Sequence, residues 1–402
     1  MLSFDQILLA RERIRNDIRH TPCEHSVTLS RLLGADIYIK FENMQFTAAF
    51  KERGALHKLL LLQEQHANIK GVIAMSAGNH AKGVAYHANR LGISATIVMP
   101  TFTPIVKVSD TEALGATVIL HGDTLAEASD RAYQLAEQQD LIFIHPYDDF
   151  DVIAGQGTAA LEILEDCPDL DALVIPIGGG GLISGMSLAA KTIRPAIEIV
   201  GVQAAGYPAV QQLMQGETVQ VGGTTIAEGI AVKYPGKNTL DIIERYVDDI
   251  VLVSEESLER AVSLYINIEK TVAEGAGAAS LAAIVEYPER FSGKKVGIIL
   301  SGANLDAKVL AYILLRDLVH TGRLVRLKIT LTDKPGSLSR VTTLVGEEGG
   351  NIIDVDHQRV FSRAAVRETI LAMSVEVREK NHGERICQVL KDSGFDAKID
   401  TH

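Results

Sequence analysis

The chain has 402 residues, 47% of them hydrophobic and 22% charged, which is typical of a globular protein with two or three domains. The formal net charge of −12 repels polyanions, so neither nucleic acid nor an anionic membrane is an expected partner. Cys23, Cys167 and Cys387 are far apart in the sequence, which excludes a zinc ribbon and a disulfide framework and fits reduced thiols in a cytoplasmic protein.

The N-terminal segment predicts an amphipathic helix, in which Ser3 and Gln6 form a capping box. The segment contains no long apolar run, so we do not expect a signal peptide. We also expect no transmembrane helix, because the chain contains no run of about 18 uncharged apolar residues.

From about residue 35 to residue 302, short apolar runs alternate with helical patterns. Several runs are apolar on both faces, as buried parallel strands require. The alternation predicts a doubly wound α/β fold, in which ligands bind at the carboxyl ends of the strands. The predicted strands are 35–42, 71–75, 95–100, 117–122, 141–146, 172–178, 197–203, 249–253 and 295–300. The predicted helices include 79–92, 124–139 and 255–270.

The pattern changes after about residue 322, where a polar, basic segment begins a different arrangement. The remaining strands alternate apolar and polar residues, as in a sheet with one buried face. Their order with the helices is βαββαβ, which predicts a ferredoxin-like α+β domain. The predicted strands are 324–333, 351–360, 369–378 and 395–400, and the predicted helices are 336–349 and 384–394.

Lys51 lies among apolar residues, between Phe50 and a glycine at position 54. Apolar surroundings lower the pKa of a lysine, and a neutral amine can condense with an aldehyde. A solvated surface charge is the alternative that this segment alone leaves open.

The segment 76–83, SAGNHAKG, follows a predicted strand and opens a predicted helix. Free backbone N–H groups at such a turn favour an anion, either a carboxylate or a phosphate, and Asn79 can donate to a ligand oxygen. An ordinary N-capped helix is the alternative.

Gly178 to Gly181 also join a strand to a helix. Four glycines let the backbone approach a ligand closely, which predicts a phosphate cradle; a tight turn is the alternative. The segment is not a P-loop, since no Gly-Lys-Ser/Thr follows. It is not a dinucleotide site either, because strand 197–203 does not end in an acidic residue.

Ser301 ends the strand predicted at 295–300. At the carboxyl end of a strand its hydroxyl can meet a ligand, and a helix N-cap is an equally good interpretation.

In the order lysine, asparagine loop, glycine loop and serine, these four segments resemble the fold-type II enzymes that depend on pyridoxal 5'-phosphate (PLP). Within this group, the chain closely resembles the threonine and serine dehydratases, which are also called ammonia-lyases. The resemblance covers about residues 5 to 320. It implies a catalytic domain at 1–322 made of two doubly wound α/β subdomains, with the smaller one inserted at about 45–150.

The resemblance also implies roles for residues. Lys51 would carry the cofactor as a Schiff base and later remove the Cα proton, and Phe50 would pack beside the ring. Asn79 would bond to the 3′ oxygen, and Ser301 would face the pyridine nitrogen and leave it unprotonated. The phosphate would be bound by the backbone N–H groups of Gly178, Gly179, Gly180, Gly181 and Leu182. The substrate carboxylate would be bound by Ser76, Ala77, Gly78, Asn79 and His80.

Three positions depart from the family pattern. Ala48 and Ala49 stand where the lysine motif usually has Gly-Ser. Ala77 stands where related serine racemases have a second catalytic serine, which favours dehydration over racemisation. Gln203 stands where metal-binding relatives have a glutamate, so no metal site is expected.

Two further stretches, 224–236 and 273–283, match the family, and the second places Glu274 near the edge of the cofactor. An acidic residue favoured by the dipole at a helix N-terminus is the alternative for Glu274.

The segments 333–338 and 347–355 resemble ACT-type regulatory domains, which implies an ACT-like domain at 323–402. Such domains bind a small amino acid between paired copies, and isoleucine or valine is the expected effector. A domain that serves only assembly is the alternative. The candidate effector contacts are Leu331, Asp333, Gly336, Ser337, Leu338, Asn351 and Ile352.

The resemblance therefore implies a threonine ammonia-lyase that assembles as a homodimer or homotetramer. It would convert L-threonine to 2-oxobutanoate and ammonia, and L-serine to pyruvate, in isoleucine biosynthesis or threonine catabolism. The alternatives are a β-replacement synthase, a hydroxyaspartate dehydratase, a non-catalytic amino-acid sensor and an NAD-dependent enzyme.

Overall fold

The computed structural model describes residues 2–66, 69–358 and 367–400, which form two compact units. The first unit is Met1–Leu305 and the second is Asp306–His402. An α/β unit followed by a smaller α+β unit is the fold class that the sequence predicts, and it is confirmed.

The strands of the first unit belong to two sheets. In chain order they are β1 (Cys23–His25), β2 (Asp36–Phe41), β3 (Val72–Met75), β4 (Ala95–Met99), β5 (Thr117–Leu120), β6 (Ile142–Phe143), β7 (Ala172–Pro176), β8 (Glu198–Ala204), β9 (Asp249–Val253) and β10 (Lys295–Leu300). One sheet has the order β1-β2-β10-β7-β8-β9 and the other β5-β4-β3-β6. All neighbouring strands are parallel except β1 and β2. The carboxyl ends of the parallel strands therefore gather at one edge of each sheet.

The helices of the first unit cover these sheets. They are α1 (Phe4–Ile14), α2 (Val27–Leu33), α3 (Lys51–Gln65), α4 (Asn79–Arg90), α5 (Ile105–Ala113), α6 (Leu125–Gln139), α7 (Phe150–Asp166), α8 (Gly181–Ile193), α9 (Ala209–Met214), α10 (Lys237–Tyr246), α11 (Glu255–Leu264), α12 (Gly275–Glu286) and α13 (Pro288–Phe291). The capping box of Ser3 and Gln6 is present at the start of α1. Helix α7 packs against α1, α3 and α8, and the last two begin at the candidate lysine and the glycine loop.

Two predicted elements end earlier than the sequence suggests. The strand predicted at 141–146 stops at Phe143, and the carbonyls of Ile144 and Pro146 accept hydrogen bonds from side chains instead of continuing the sheet. The helix predicted at 255–270 is α-helical only to Leu264 and continues as a π-helical turn over Tyr265–Glu269.

The second unit contains α14 (Ala307–His320), β11 (Leu324–Thr332), α15 (Ser337–Glu347), β12 (Asn351–Gln358), β13 (Glu368–Glu376), α16 (Lys380–Asp392) and β14 (Asp396–Ile399). Its antiparallel sheet has the order β12-β13-β11-β14, so the predicted ferredoxin-like topology is confirmed. Helix α16 begins four residues before the predicted start at 384. Positions 359 and 360 of the strand predicted at 351–360 lie outside the described residues.

Cys23 and Cys167 are far apart in the sequence but adjacent in the fold, because α7 ends beside β1. Both thiols are free, with their sulfur atoms 3.4 Å apart. Burial raises the pKa of both thiols, so each stays in its unreactive, protonated form near neutral pH.

Within the part of the chain that the structure describes, no helix is both long and apolar enough to span a bilayer.

Candidate active site

The turn before Lys51 is fixed by hydrogen bonds to the loop that follows β10. The backbone N–H of Phe50 donates to the Ser301 carbonyl at 3.1 Å, and that of Ala303 donates to the Ala48 carbonyl at 2.9 Å. Ala48 has a φ of +59°, the left-handed conformation, which costs a non-glycine residue about 1–2 kcal/mol. A glycine, which the family motif usually has here, would not carry this cost.

The amine of Lys51 lies in a partly buried position at the first residue of α3. Its Nζ donates to the Pro146 carbonyl at 2.7 Å and lies 5.2 Å from the centre of the Phe50 ring. Burial lowers the pKa of Lys51 from 10.5 to about 8, and the carboxylate of Glu274 offsets part of that decrease. The solvated surface charge that the sequence left open is therefore wrong for Lys51.

Asn79 and Glu274 bring α4 and α12 together at the candidate site. Asn79 is the first residue of α4, whose N-cap is Gly78, a residue without a side chain that could cap the helix. The Nδ2 of Asn79 donates to Oε1 of Glu274 at 2.6 Å. The buried Oδ1 of Asn79 has no hydrogen-bond partner among the described residues, so this side chain can still accept a bond.

Glu274 is the N-cap residue of α12, but its carboxylate turns towards Asn79 and makes no bond to its own helix. Its backbone N–H donates to the Gly302 carbonyl at 3.0 Å. Burial raises the pKa of Glu274 from 4.5 to about 7, and the hydrogen bond from Asn79 offsets part of the rise. A simple helix-dipole role therefore does not explain this side chain.

The glycine loop runs from β7 into α8. Gly180 has a φ of +94° and is the N-cap of α8, so again no side chain caps the helix. A methyl group at Gly179 would overlap the Tyr147 ring, and one at Gly178 would lie 3.0 Å from the Gly229 carbonyl. Glycine is therefore required here by close approach, and the first N–H groups of α8 remain open to an anion.

Ser301 lies directly after β10 and is 4% exposed. Its hydroxyl donates a long 3.4 Å hydrogen bond to the Ala276 carbonyl. The next helix, α14, begins at Ala307, so the interpretation of Ser301 as a helix N-cap is wrong.

The loop Ser76–His80 follows β3. Its Gly78 N–H donates to the Ser76 hydroxyl at 3.1 Å, and Ala77 places a methyl group beside it. His80 is buried, and its Nε2 donates to the Ile144 carbonyl at 2.9 Å. Burial lowers the pKa of His80 to about 3, so its ring is neutral at physiological pH.

Sequence reasoning missed the segment 145–149, His-Pro-Tyr-Asp-Asp, which contacts both ends of the site. Pro146 accepts the hydrogen bond from Lys51, and the Tyr147 ring covers Gly179. A cluster of polar residues at the carboxyl end of a parallel strand is a signal that could have identified it.

Gln203 at the end of β8 uses its whole amide for backbone contacts. Its Nε2 donates to the Tyr207 carbonyl at 3.1 Å, and its Oε1 accepts from the Gln211 N–H at 3.0 Å. A group of three or more histidine, cysteine or acidic residues suited to a metal does not occur among residues 2–66, 69–358 and 367–400.

The candidate effector residues occupy two ends of the sheet in the second unit. The turn from Asp333 to Leu338 follows Thr332, the last residue of β11, which pairs with Glu368 at one end of β13. Asn351 pairs with Glu376 at the opposite end of β13. Eight residues of strand separate the two ends, on the order of 25 Å. One copy of the domain therefore does not bring both segments to one ligand.

The hydrogen bonds of these two segments join residues of the second unit. The Ser337 hydroxyl donates to the Thr332 carbonyl at 2.9 Å, and Gly336 has a φ of +88° at the N-cap of α15. The Asn351 amide donates to Glu376 at 3.2 Å. Leu331 is buried in the core, whereas Ile352 is only partly buried.

The family model described as "Pyridoxal-phosphate dependent enzyme" matches residues 14–302, a span that includes all four candidate segments. The chain belongs to this family of PLP-dependent enzymes. The L-threonine ammonia-lyase of Thermotoga maritima is 40% identical over 401 residues, which are 99% of this chain and 100% of that relative.

Solved structures also resemble this PLP-dependent enzyme over most of its length. The processed form of threonine deaminase isoform 2 from Solanum lycopersicum has a TM-score of 0.73 at 36% identity, and the match covers 77% of this chain and 92% of that one. Maize serine racemase has a TM-score of 0.73 at 33% identity, covering 79% and 98%. Overall likeness therefore does not separate deaminases from racemases.

The residues present fit PLP, which has an aldehyde, a phenolic oxygen and a phosphate. Lys51 offers an amine of lowered pKa for the aldehyde. The Asn79 amide can accept from a phenolic hydroxyl through its Oδ1, which has no partner among the described residues, or donate to a phenolate through the second N–H of Nδ2. The first N–H groups of α8 have no side-chain cap and can bind the phosphate. As an enzyme of this family, the chain acts on a small-molecule substrate.

Proposed function

We propose that the chain is an L-threonine ammonia-lyase, which converts threonine to 2-oxobutanoate and ammonia and also accepts serine. The observation that carries the proposal is the amine of Lys51, which donates to the Pro146 carbonyl at 2.7 Å and whose pKa burial lowers to about 8. The full-length likeness to a relative named L-threonine ammonia-lyase supports the choice of reaction.

Five groups would hold the cofactor. Lys51 would bind it covalently through Nζ, and the open N–H groups of Gly178–Gly181 and Leu182 would bind its phosphate. Asn79 would contact its phenolic oxygen, and the buried hydroxyl of Ser301 would face its ring nitrogen, with Phe50 beside the ring. When bound, PLP supplies a conjugated ring that takes up the electrons released at the substrate Cα.

Lys51 would also act as the general base. A neutral amine accepts the Cα proton, and a pKa of about 8 leaves a substantial neutral fraction near pH 7.5. The protonated amine produced in this way remains within the field of Glu274, which stabilises the positive charge. The 2.6 Å hydrogen bond from Asn79 would hold the Glu274 carboxylate in place at the edge of the site.

The loop Ser76–His80 would bind the substrate carboxylate. The first N–H groups of α4 have no side-chain cap from Gly78, and a helix N-terminus favours negative charge. The neutral ring of His80 ties this loop to the Ile144 carbonyl and so holds it in place.

Ala77 favours elimination over racemisation. Racemisation needs an acid or base on the face of the substrate opposite Lys51, and a methyl group supplies neither. The likeness to maize serine racemase is a likeness of fold and family. We attribute the choice between the two reactions to Ala77 in this loop.

We further propose that the second unit regulates the enzyme as an ACT-type domain, with isoleucine or valine as the effector and a role in isoleucine biosynthesis or threonine catabolism. The two candidate segments lie at opposite ends of one sheet, which fits a site shared between paired copies. A homodimer or homotetramer is the assembly that such pairing implies.

The test is incubation of the purified enzyme with L-threonine alone. We expect 2-oxobutanoate and ammonia to accumulate in equal amounts without an added thiol, and D-allothreonine, the product of inversion at Cα alone, to stay absent. A requirement for a second nucleophile would indicate β-replacement, and an inactive protein that still binds amino acids would indicate a sensor.

A further inference from the structure

We infer that Thr239 and Asp148 are positioning residues that hold the glycine loop in the shape that binds phosphate. The inference rests on the proposed cofactor site and goes beyond it, because neither residue belongs to the loop or to the candidate contacts. It identifies what keeps the loop N–H groups facing outwards.

Thr239 lies directly beneath the glycine loop and is fully buried. Its hydroxyl lies 2.7 Å from the Gly179 carbonyl and 3.0 Å from the Gly236 carbonyl, so it can donate to either. The Gly236 N–H also donates to the Gly179 carbonyl, at 3.2 Å. With its carbonyl held from below, the peptide after Gly179 turns its N–H to the opposite side, away from Thr239.

Thr239 is itself held in place from α8. The Ser184 hydroxyl donates to the Thr239 carbonyl at 3.1 Å. A methyl group at Gly180 would lie 2.7 Å from the Thr239 hydroxyl, so this loop and this side chain are in close contact. The glycine loop therefore packs against a Thr239 side chain whose position is fixed.

Asp148 fixes the first turn of α10, which carries Thr239. Its carboxylate accepts three backbone N–H groups, from Lys237 at 3.1 Å, Asn238 at 2.9 Å and Thr239 at 3.2 Å. The N-cap of α10 is Gly236, which has no side chain, so Asp148 caps this helix from a distant part of the chain. A negative charge at a helix N-terminus adds to this stabilisation.

The same segment reaches the lysine end of the site. Pro146, two residues before Asp148, accepts the hydrogen bond from Lys51, and Tyr147 covers Gly179. Residues 146–148 thus connect the amine that would bind the aldehyde with the loop that would bind the phosphate.

The experiment compares binding of PLP with binding of pyridoxal, which lacks the phosphate, to the full-length apoenzyme. Thr239→Val removes the hydroxyl that holds the Gly179 carbonyl. Loss of one such hydrogen bond weakens PLP binding about tenfold and leaves pyridoxal binding unchanged. Thr239→Ser keeps the hydroxyl and should restore PLP affinity. Asp148→Asn should weaken PLP binding in the same selective way.

Thr192→Val is the matched control, because the Thr192 hydroxyl also donates to a backbone carbonyl, that of Leu188, at the far end of α8. It should leave both affinities unchanged. Equal weakening of PLP and pyridoxal by Thr239→Val, or no weakening at all, would overturn the inference. A wild-type protein that binds no PLP would instead overturn the proposed function.

Discussion

The side-chain amide of Asn79 donates a 2.6 Å hydrogen bond to the carboxylate of Glu274, and this bond joins the first residue of α4 to the N-cap residue of α12. Burial raises the pKa of this carboxyl group to about 7, and its charge raises the pKa of the Lys51 amine that carries the proposed chemistry.

Glu274→Gln should change how stability depends on pH. Because burial raises the pKa of Glu274 from 4.5 to about 7, the folded protein keeps the proton that the unfolded chain loses above pH 4.5. The wild-type apoprotein therefore loses stability relative to the variant between pH 5 and pH 8, by roughly 2–3 kcal/mol. Urea unfolding of both proteins at the two pH values measures the difference. An identical pH dependence would show that Glu274 titrates normally.

Covalent attachment of PLP should follow the protonation of Lys51. Since burial lowers the pKa of Lys51 to about 8, the amine is mostly cationic below pH 8 and mostly neutral above it. The attachment rate should rise about tenfold per pH unit below pH 8 and then level off. Absorbance near about 410 nm after mixing apoenzyme with PLP records the rate. A rate that still climbs between pH 9 and pH 10 would contradict the lowered pKa.

Ala48→Gly should stabilise the protein by about 1 kcal/mol, because glycine adopts the φ of +59° without strain. Ala49→Gly is the control: Ala49 is buried, and the loss of its methyl group should destabilise the protein. Thermal unfolding of the two variants should shift in opposite directions. A lower midpoint for Ala48→Gly would mean that the strain is absent.

Gly179→Ala should abolish PLP binding, because the added methyl group overlaps the Tyr147 ring and displaces the loop. Gly222→Ala, in the same unit, adds a methyl group where nothing lies within 4 Å and should bind PLP like the wild type. Equilibrium titration with PLP distinguishes the two. Normal affinity in Gly179→Ala would remove the glycine loop from the site.

The sequence predicts the fold well where the pattern is repeated and local. Buried strands such as Ala172–Pro176 and Lys295–Leu300 are apolar on both faces, and the alternating strand Leu324–Thr332 shows one buried face. The four candidate segments could also be located from the sequence. Each lies at the beginning or end of a helix or strand: Lys51, Asn79, Gly178–Gly181 and Ser301.

The contacts between distant segments could not be predicted in the same way. Thr239 and Asp148 are ordinary polar residues, and only the fold brings them under the glycine loop. The shortened strand at Ile142–Phe143 depends on side chains from α3 and α4 that take its next carbonyls. The closeness of Cys23 and Cys167 likewise depends on tertiary packing.

The central claim is that Lys51 carries the cofactor, and chemical trapping tests it most directly. The holoenzyme is reduced with borohydride, digested, and its lysine-containing peptides are identified by mass spectrometry, with Lys51→Ala treated in parallel. We expect the reduced pyridoxyl group on Lys51 in the wild type and on no lysine in the variant. A pyridoxyl group on another lysine of the wild type, or an unchanged yield in Lys51→Ala, would contradict the account.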